Sequence, residues 1–274
     1  MRCLYPLLVV LVAFTLKASA SPDSSGLRVE RLPDGMRFAL LGERLARPCP
    51  TLFVFQGDID VALKEPLYTE VGRIMARHGF LTVVLDAPAH GEDHHPGEPA
   101  ELAAWRWRLV HRQDLVGDFT RRARAVLEHL IAAGYTDPAR VAAVGTSRGG
   151  YLAFQFAADE PRIRCAGGIS PVTDLGALRE FDGLALNPSV QALALSHRAP
   201  QLAGRPVWIC IGNRDERVGT EAAIAFSRAL VAATPAGQSA PVTLLVHDVA
   251  GHHSTLEDHE RLAAWLLSQP ALRP

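Results

Sequence analysis

Val141-Ala142-Ala143-Val144-Gly145-Thr146-Ser147-Arg148-Gly149-Gly150 reads as a buried strand, a G-x-S-x-G turn and the opening of a helix. The spacing has a chemical reason. A serine that is to attack must stand on a sharp, strained turn that lifts its hydroxyl above the edge of a sheet. Small residues two before and two after it let strand and helix approach closely. The helix that follows aims free N–H groups and the positive end of its dipole at the reacting centre. G-x-S-x-G alone recurs by chance; a strand before it and a helix after it make it informative.

Outward from this turn, short apolar runs recur, each closed by turn residues. They are Leu27–Leu32, Arg37–Leu41, Thr51–Phe55, Leu81–Leu85, Arg140–Val144, Ile163–Ile169, Val207–Ile211 and Val242–Val246. The first two flank Pro33-Asp34-Gly35, a hairpin-type turn. The later ones are continuously apolar, as strands buried on both faces of a parallel sheet are. Helical patterns lie between them at Leu67–Arg77, Asp114–Ala133, Ser147–Ala158, Glu221–Ala233 and Thr255–Leu267. This alternation predicts a mostly parallel, doubly wound sheet of about eight strands with helices on both faces. Two long connections, Ala87–Gln113 and Ser170–Arg205, leave the ligand-binding edge of such a sheet. They are candidates for pocket walls or small cap-like insertions.

A serine hydroxyl is a poor nucleophile at its own pKa and needs a base and an orienting acid. The last apolar run leads into Val246-His247-Asp248-Val249-Ala250-Gly251-His252-His253, and the one before it into Ile211-Gly212-Asn213-Arg214-Asp215. Both loops leave the same sheet edge as Ser147. The chain resembles the α/β-hydrolases from about residue 27 to 268. Within them it is most similar to the dienelactone hydrolase and prolyl-oligopeptidase-like domains, through Gly-x-Ser-x-Gly-Gly at 145–150 and Ile169-Ser170-Pro171-Val172-Thr173-Asp174. The resemblance implies Ser147 as nucleophile, His252 as general base and Asp215 as acid. It also implies an oxyanion hole of the backbone N–H groups of Asp58 and Arg148. In the loop Phe55-Gln56-Gly57-Asp58 the glycine matches the family pattern, and Gln56 replaces the usual histidine. Asp86-Ala87-Pro88-Ala89-His90-Gly91 resembles a segment that is usually structural in these enzymes.

Rivals exist for single roles: His253 or His247 for the base, Asp174 for the acid. The segment His90-Gly91-Glu92-Asp93-His94-His95 has metal-ligand residue types. It lacks the H-x-H-x-D-H pattern of metallo-β-lactamase-like hydrolases, and a polar, solvated loop is the plainer reading. Trp105-Arg106-Trp107-Arg108 could meet a substrate or pack into a cap. Arg121-Arg122-x-Arg124 reads as a solvated helix face.

The rest of the chain narrows the setting. Of 274 residues, 28 are Lys or Arg and 29 Asp or Glu, which disfavours a basic nucleic-acid binder and an acidic disordered tail. Residues 1–20 have a secretory signal peptide pattern: Arg2, an apolar stretch from Cys3 to Leu16, then Ala18-Ser19-Ala20. The stretch is short for a membrane span, which takes about twenty residues. Cleavage after Ala20 would leave residues 21–274 as a single domain, secreted or periplasmic and without stable membrane association. Cys49, Cys165 and Cys210 would remain, an odd number, and Cys165 and Cys210 sit in strand-like runs as buried free thiols. The expectation is therefore a serine hydrolase acting on a small-molecule ester, with no cofactor and no metal. A serine peptidase is the alternative, weakened because such enzymes usually carry a large accessory domain. A non-catalytic binding protein on the same fold is the other.

Overall fold

The computed structural model of the chain describes residues 26–43 and 46–273; the signal peptide reading at 1–20 lies outside them. Eight strands form one sheet: β1 Arg28–Arg31, β2 Arg37–Leu41, β3 Cys49–Phe55, β4 Leu81–Val84, β5 Thr136–Thr146, β6 Ile163–Ile169, β7 Val207–Arg214 and β8 Val242–Ala250. Their order is β1-β2-β4-β3-β5-β6-β7-β8. Strand β2 runs against both its neighbours, and β4, β3, β5, β6, β7 and β8 are all parallel. The parallel part begins to run in the opposite lateral direction at β3. There the connections on either side diverge and leave a crevice at the carboxyl edge.

The helices are α1 Ile59–Lys64, α2 Glu70–Arg77, α3 Glu101–Val110, α4 Leu115–Ala132, α5 Arg148–Asp159, α6 Pro188–Gln191, α7 Ala199–Leu202, α8 Thr220–Ala233 and α9 Leu256–Ser268. Alternation along β3 divides the core between the two sheet faces. Phe53 and Phe55 join Phe119 of α4, Phe156 of α5 and Phe226 of α8 on one face. Leu52 and Val54 join Val71 and Met75 of α2 and Leu262 and Leu266 of α9 on the other. Burying each such side chain contributes about 1.5–3 kcal/mol, so both faces need a helical cover. The sheet is the α/β-hydrolase fold.

The structure departs from the sequence reading mainly inside the insertions. Residues 101–110 form α3, which the first long connection conceals. Arg122 is not part of a solvated face. Arg122 pairs with Asp93 at 3.0 Å, whereas Arg121 keeps an exposed side chain and Arg124 a partly exposed one, reaching Glu160 at 3.0 Å. Trp105 is fully buried, with its indole N–H donating to Pro88 O at 2.7 Å, and Arg108 is buried between Asp93 and Glu98. Trp107 stacks on His111. These side chains fasten the insertion to the body of the protein. Cys49, Cys165 and Cys210 are buried free thiols.

Glu160 closes α5 and gives a test of the scaffold. Burial by itself would raise its pKa. The side chain and backbone N–H of Arg162, together with Arg124, outweigh burial and hold it at about 2. A carboxylate depressed from an unfolded value near 4.3 adds stability that is present above that pH and is lost as pH falls toward 2. Glu160→Gln should therefore cost on the order of 3 kcal/mol near neutral pH, with the deficit shrinking below about pH 4. Denaturant unfolding of both proteins across that range checks this; a pH-independent deficit would contradict it.

Candidate active site

The turn at Ser147 is built from close approaches. A Cβ on Gly145 would stand 2.2 Å from the backbone carbon of Gly149, and one on Gly149 would stand 1.9 Å from Phe55 O. No side chain fits either place, so both must be glycine for β5, α5 and β3 to meet. Ser147 itself has φ 55° and ψ −119°. A positive φ in a residue with a Cβ is strained and persists only where its surroundings hold it. Here Ser147 N–H donates to Ile169 O at 2.9 Å, and Val172 N–H donates to Ser147 O at 3.0 Å. Ser147 is half-buried, at the edge where β3, β5, β6, β7 and β8 all end.

The structure brings Asp215 and His252 together. His252 Nδ1 lies 2.8 Å from Asp215 Oδ2. The Asp215 side chain is fully buried, whereas that of His252 is 28% exposed, so one end of the ring is held and the other is open. Asp215 Oδ1 accepts the N–H groups of Arg217 at 3.0 Å and Val218 at 3.2 Å. All three contacts ask the carboxylate to accept, so a proton sits on Nδ1, and in the neutral ring Nε2 keeps its lone pair. Gly212 makes the pairing possible: a Cβ there would stand 2.8 Å from Val249 O and 3.0 Å from Gly251 O. Gly251, at φ 83°, turns the chain out of β8. Ser147 and His252 share no direct hydrogen bond in this structure. Such links are commonly loose without substrate and tighten in the reacting complex.

The rival residues fall elsewhere. His253 lines a cavity together with His247 and Asp258, and its carbonyl accepts from Ser170 Oγ at 2.7 Å. His247 lies within β8. Asp174 caps a short turn at Leu175–Ala177, accepting Gly176 N–H at 2.8 Å.

Around the edge, Arg148 opens α5, where the first N–H groups of a helix have no partner within it. Asp58 is the N-cap of α1, accepting Val61 N–H at 2.7 Å. The loop between β3 and α1 is fixed from below by buried Asp86, which accepts Ile59 N–H at 2.9 Å and pairs with Arg37 at 2.6 Å. Gly91 is pressed so closely on Asp86 that a Cβ would stand 2.4 Å from Oδ1. The 86–91 segment is thus a structural support. His90 is buried against Gly57 and makes a 2.7 Å contact from Nδ1 to Pro88 O. Burial pushes its pKa down, with Arg148 adding to the effect, which favours the neutral ring.

Two ion pairs absent from the sequence reading link the insertions to this edge. Glu101, at the start of α3, holds Arg148 at 2.9 Å, and that hydrogen bond keeps its carboxyl below the usual range. Glu180 holds Arg217 at 2.8 Å. One insertion therefore grips the residue after Ser147, and the other the residue two beyond Asp215. Neither pair carries a sequence signal, because each partner comes from a long connection. The metal-type segment at 90–95 is not gathered into a ligand set: His94 Nε2 contacts the carbonyls of Glu98 and Pro99, while His90 is turned to Pro88.

Residues 105–270, more than half of the chain, match the family model described as the prolyl oligopeptidase family. The chain belongs to the prolyl oligopeptidase family. The matched segment of this family member contains Ser147, Asp215 and His252. No curated protein matches it in sequence. Among solved structures it is similar to a putative dienelactone hydrolase from Klebsiella pneumoniae (16% identity, TM-score 0.66, covering 89% of this chain and 98% of that one). It is similar to a cold-adapted esterase from an Arctic intertidal metagenomic library (17%, TM-score 0.65, 91% and 98%). It is also similar to dipeptidyl peptidase 4 from Porphyromonas gingivalis (17%, TM-score 0.62), covering 88% of this chain but only 35% of the peptidase. The chain thus spans about a third of that peptidase's length. At such identities these likenesses establish the fold, and the family match establishes the hydrolase class.

Proposed function

We propose that the chain hydrolyses carboxylic esters of small or medium molecules through Ser147, His252 and Asp215. The observation that carries the reading is the 2.8 Å pair of His252 and Asp215 at the same sheet edge as the strained Ser147 turn. Ser147 Oγ attacks the ester carbonyl as His252 Nε2 takes its proton. Asp215 keeps the ring in the required tautomer and stabilises the imidazolium. The backbone N–H groups of Asp58 and Arg148 receive the oxyanion, a task in which one donor is worth about 3–4 kcal/mol. His252 returns the proton to the leaving alkoxide. Water, deprotonated by the same ring, then releases the acid from the acyl-serine. Each step draws on the chain's own groups.

The esterase likeness extends over 98% of that neighbour's length, which supports an ester substrate. A serine peptidase is the second reading, favoured by the match to the prolyl oligopeptidase family. A panel of p-nitrophenyl esters and aminoacyl p-nitroanilides separates them, with inhibition by a serine-directed phosphonate as the link to Ser147. Ester turnover well above anilide turnover is the expected result; the reverse ranking makes the chain a peptidase.

We further propose export with removal of residues 1–20. Among the described residues no helix is long and apolar enough to cross a membrane. N-terminal sequencing of the native protein should begin Ser21-Pro22-Asp23-Ser24. Retention of Met1 on membrane-bound protein would make the segment an anchor.

A further inference from the structure

On the face of the sheet covered by α9, three side chains far apart in sequence converge. Cys210 of β7, His247 of β8 and Asp258 in the first turn of α9 each bring a ligand-type atom within 4.8 Å of the other two. Cys210 and Asp258 are buried and His247 is partly so. His247 Nδ1 stands 3.7 Å from Asp258 Oδ1, too far for a hydrogen bond. Its Nε2 is buried without a hydrogen-bond partner among the described residues. An imidazole always has at least one nitrogen that donates, and in the neutral form one that accepts. Nδ1 makes no hydrogen bond among the described residues, and it is the nitrogen that faces Asp258 and can bind an ion.

We infer that Cys210, His247 and Asp258 form a binding site for a divalent zinc-type metal ion. Ligand atoms sharing one tetrahedral zinc lie about 3.3–3.6 Å apart, given Zn–N and Zn–O near 2.0–2.1 Å and Zn–S near 2.3 Å. The 3.7 Å separation, long for a hydrogen bond, is close to that edge. Asp258 is arranged for two tasks: Oδ2 accepts Thr255 N–H at 2.9 Å and Thr255 O–H at 2.8 Å in the helix cap, leaving Oδ1 for the ion. A thiolate and an imidazole select zinc-like ions over magnesium or calcium, which prefer oxygen throughout. The three groups line a cavity shared with His253 and Glu257, which leaves a fourth position for water or for one of those side chains. Binding replaces the Cys210 proton with metal and releases that proton to solvent.

The ion would tie β7, β8 and α9 together behind the loop that carries His252. That makes its role structural, and the inference stands independently of the ester reading. The full chain, stripped with chelator and desalted, is titrated with Zn²⁺ and with Co²⁺ as a spectroscopic probe. One equivalent per chain is expected, with tetrahedral Co²⁺ absorption, a thiolate-to-cobalt charge-transfer band and a zinc-dependent rise in Tm. Cys210→Ser should lose the charge-transfer band. His247→Gln, at a partly exposed position that tolerates change, should bind at least about tenfold more weakly while retaining its fold by circular dichroism. His94→Ala should bind like the parent. Absence of saturable binding at one equivalent, or an unchanged spectrum and affinity in folded His247→Gln, would overturn the site; magnesium competing as well as zinc would do the same.

Discussion

Ser147→Ala should abolish ester turnover, by about 10⁴- to 10⁶-fold as for triad members in known serine proteases, and should leave Tm unchanged. The separation of the two effects follows from the turn. The unfavourable φ of 55° is imposed by the close contacts at Gly145 and Gly149 and by the hydrogen bonds of the Ser147 backbone. Alanine meets the same backbone constraint as serine, because both have a Cβ. The Oγ makes no hydrogen bond within the described protein, so its removal strands no buried partner. The chemical loss is large because only Ser147 stands at the strained apex of the turn; the neighbouring hydroxyl, Thr146, is the last residue of β5. A small residual rate above water should survive, since the oxyanion donors and His252 remain. The measurement is kcat on the best p-nitrophenyl ester, beside thermal unfolding of parent and variant. Parent-like kcat in purified Ser147→Ala, with contaminating hydrolases removed, would end the serine mechanism. Loss of fold along with activity would mean that the turn depends on the hydroxyl in a way these contacts do not show.

The framework was readable because its parts carry local signals. Strands buried on both faces appear as unbroken apolar runs, and all eight were visible, although β5 and β8 extend further than their apolar stretches. Polar Asp137 belongs to β5, and His247 and Asp248 belong to β8, an edge strand that leaves room for them. Helix α3 was hidden for a different reason. Arg108 looks like a solvent residue, yet it is buried by pairing with Asp93 and Glu98. Charge neutralised by a partner on another loop has no signature in a local window. The same holds for Arg122 with Asp93 and for Arg148 with Glu101. The Cys210–His247–Asp258 cluster escaped because its members come from three elements, whereas the ligand-rich run at 90–95 drew attention through proximity in sequence alone.

Asp215→Asn should remove most of kcat, by about 10⁴-fold on the precedent of one serine protease, with little change in Tm. Asp174→Asn should leave both kcat and Tm nearly unchanged, because asparagine caps as well as aspartate. The contrast rests on what each carboxylate holds. Asparagine at 215 can keep its oxygen on the N–H groups of Arg217 and Val218, so the loop and the start of α8 survive. Its amide NH₂ then faces His252 Nδ1 where Oδ2 stood at 2.8 Å. A donor there forces the ring into the tautomer with its proton on Nε2, and such a ring cannot take the proton of Ser147. Asp174 touches no imidazole; its Oδ1 accepts the N–H of Gly176 at 2.8 Å, a bond that asparagine can also make. The pair of variants is read by kcat and Tm together, because a stability defect alone would lower active-enzyme yield without changing kcat per active site. Active-site titration with a phosphonate makes that correction. If Asp174→Asn loses kcat and Asp215→Asn does not, the orienting acid sits after β6, and the 2.8 Å pair at His252 serves only to hold its loop.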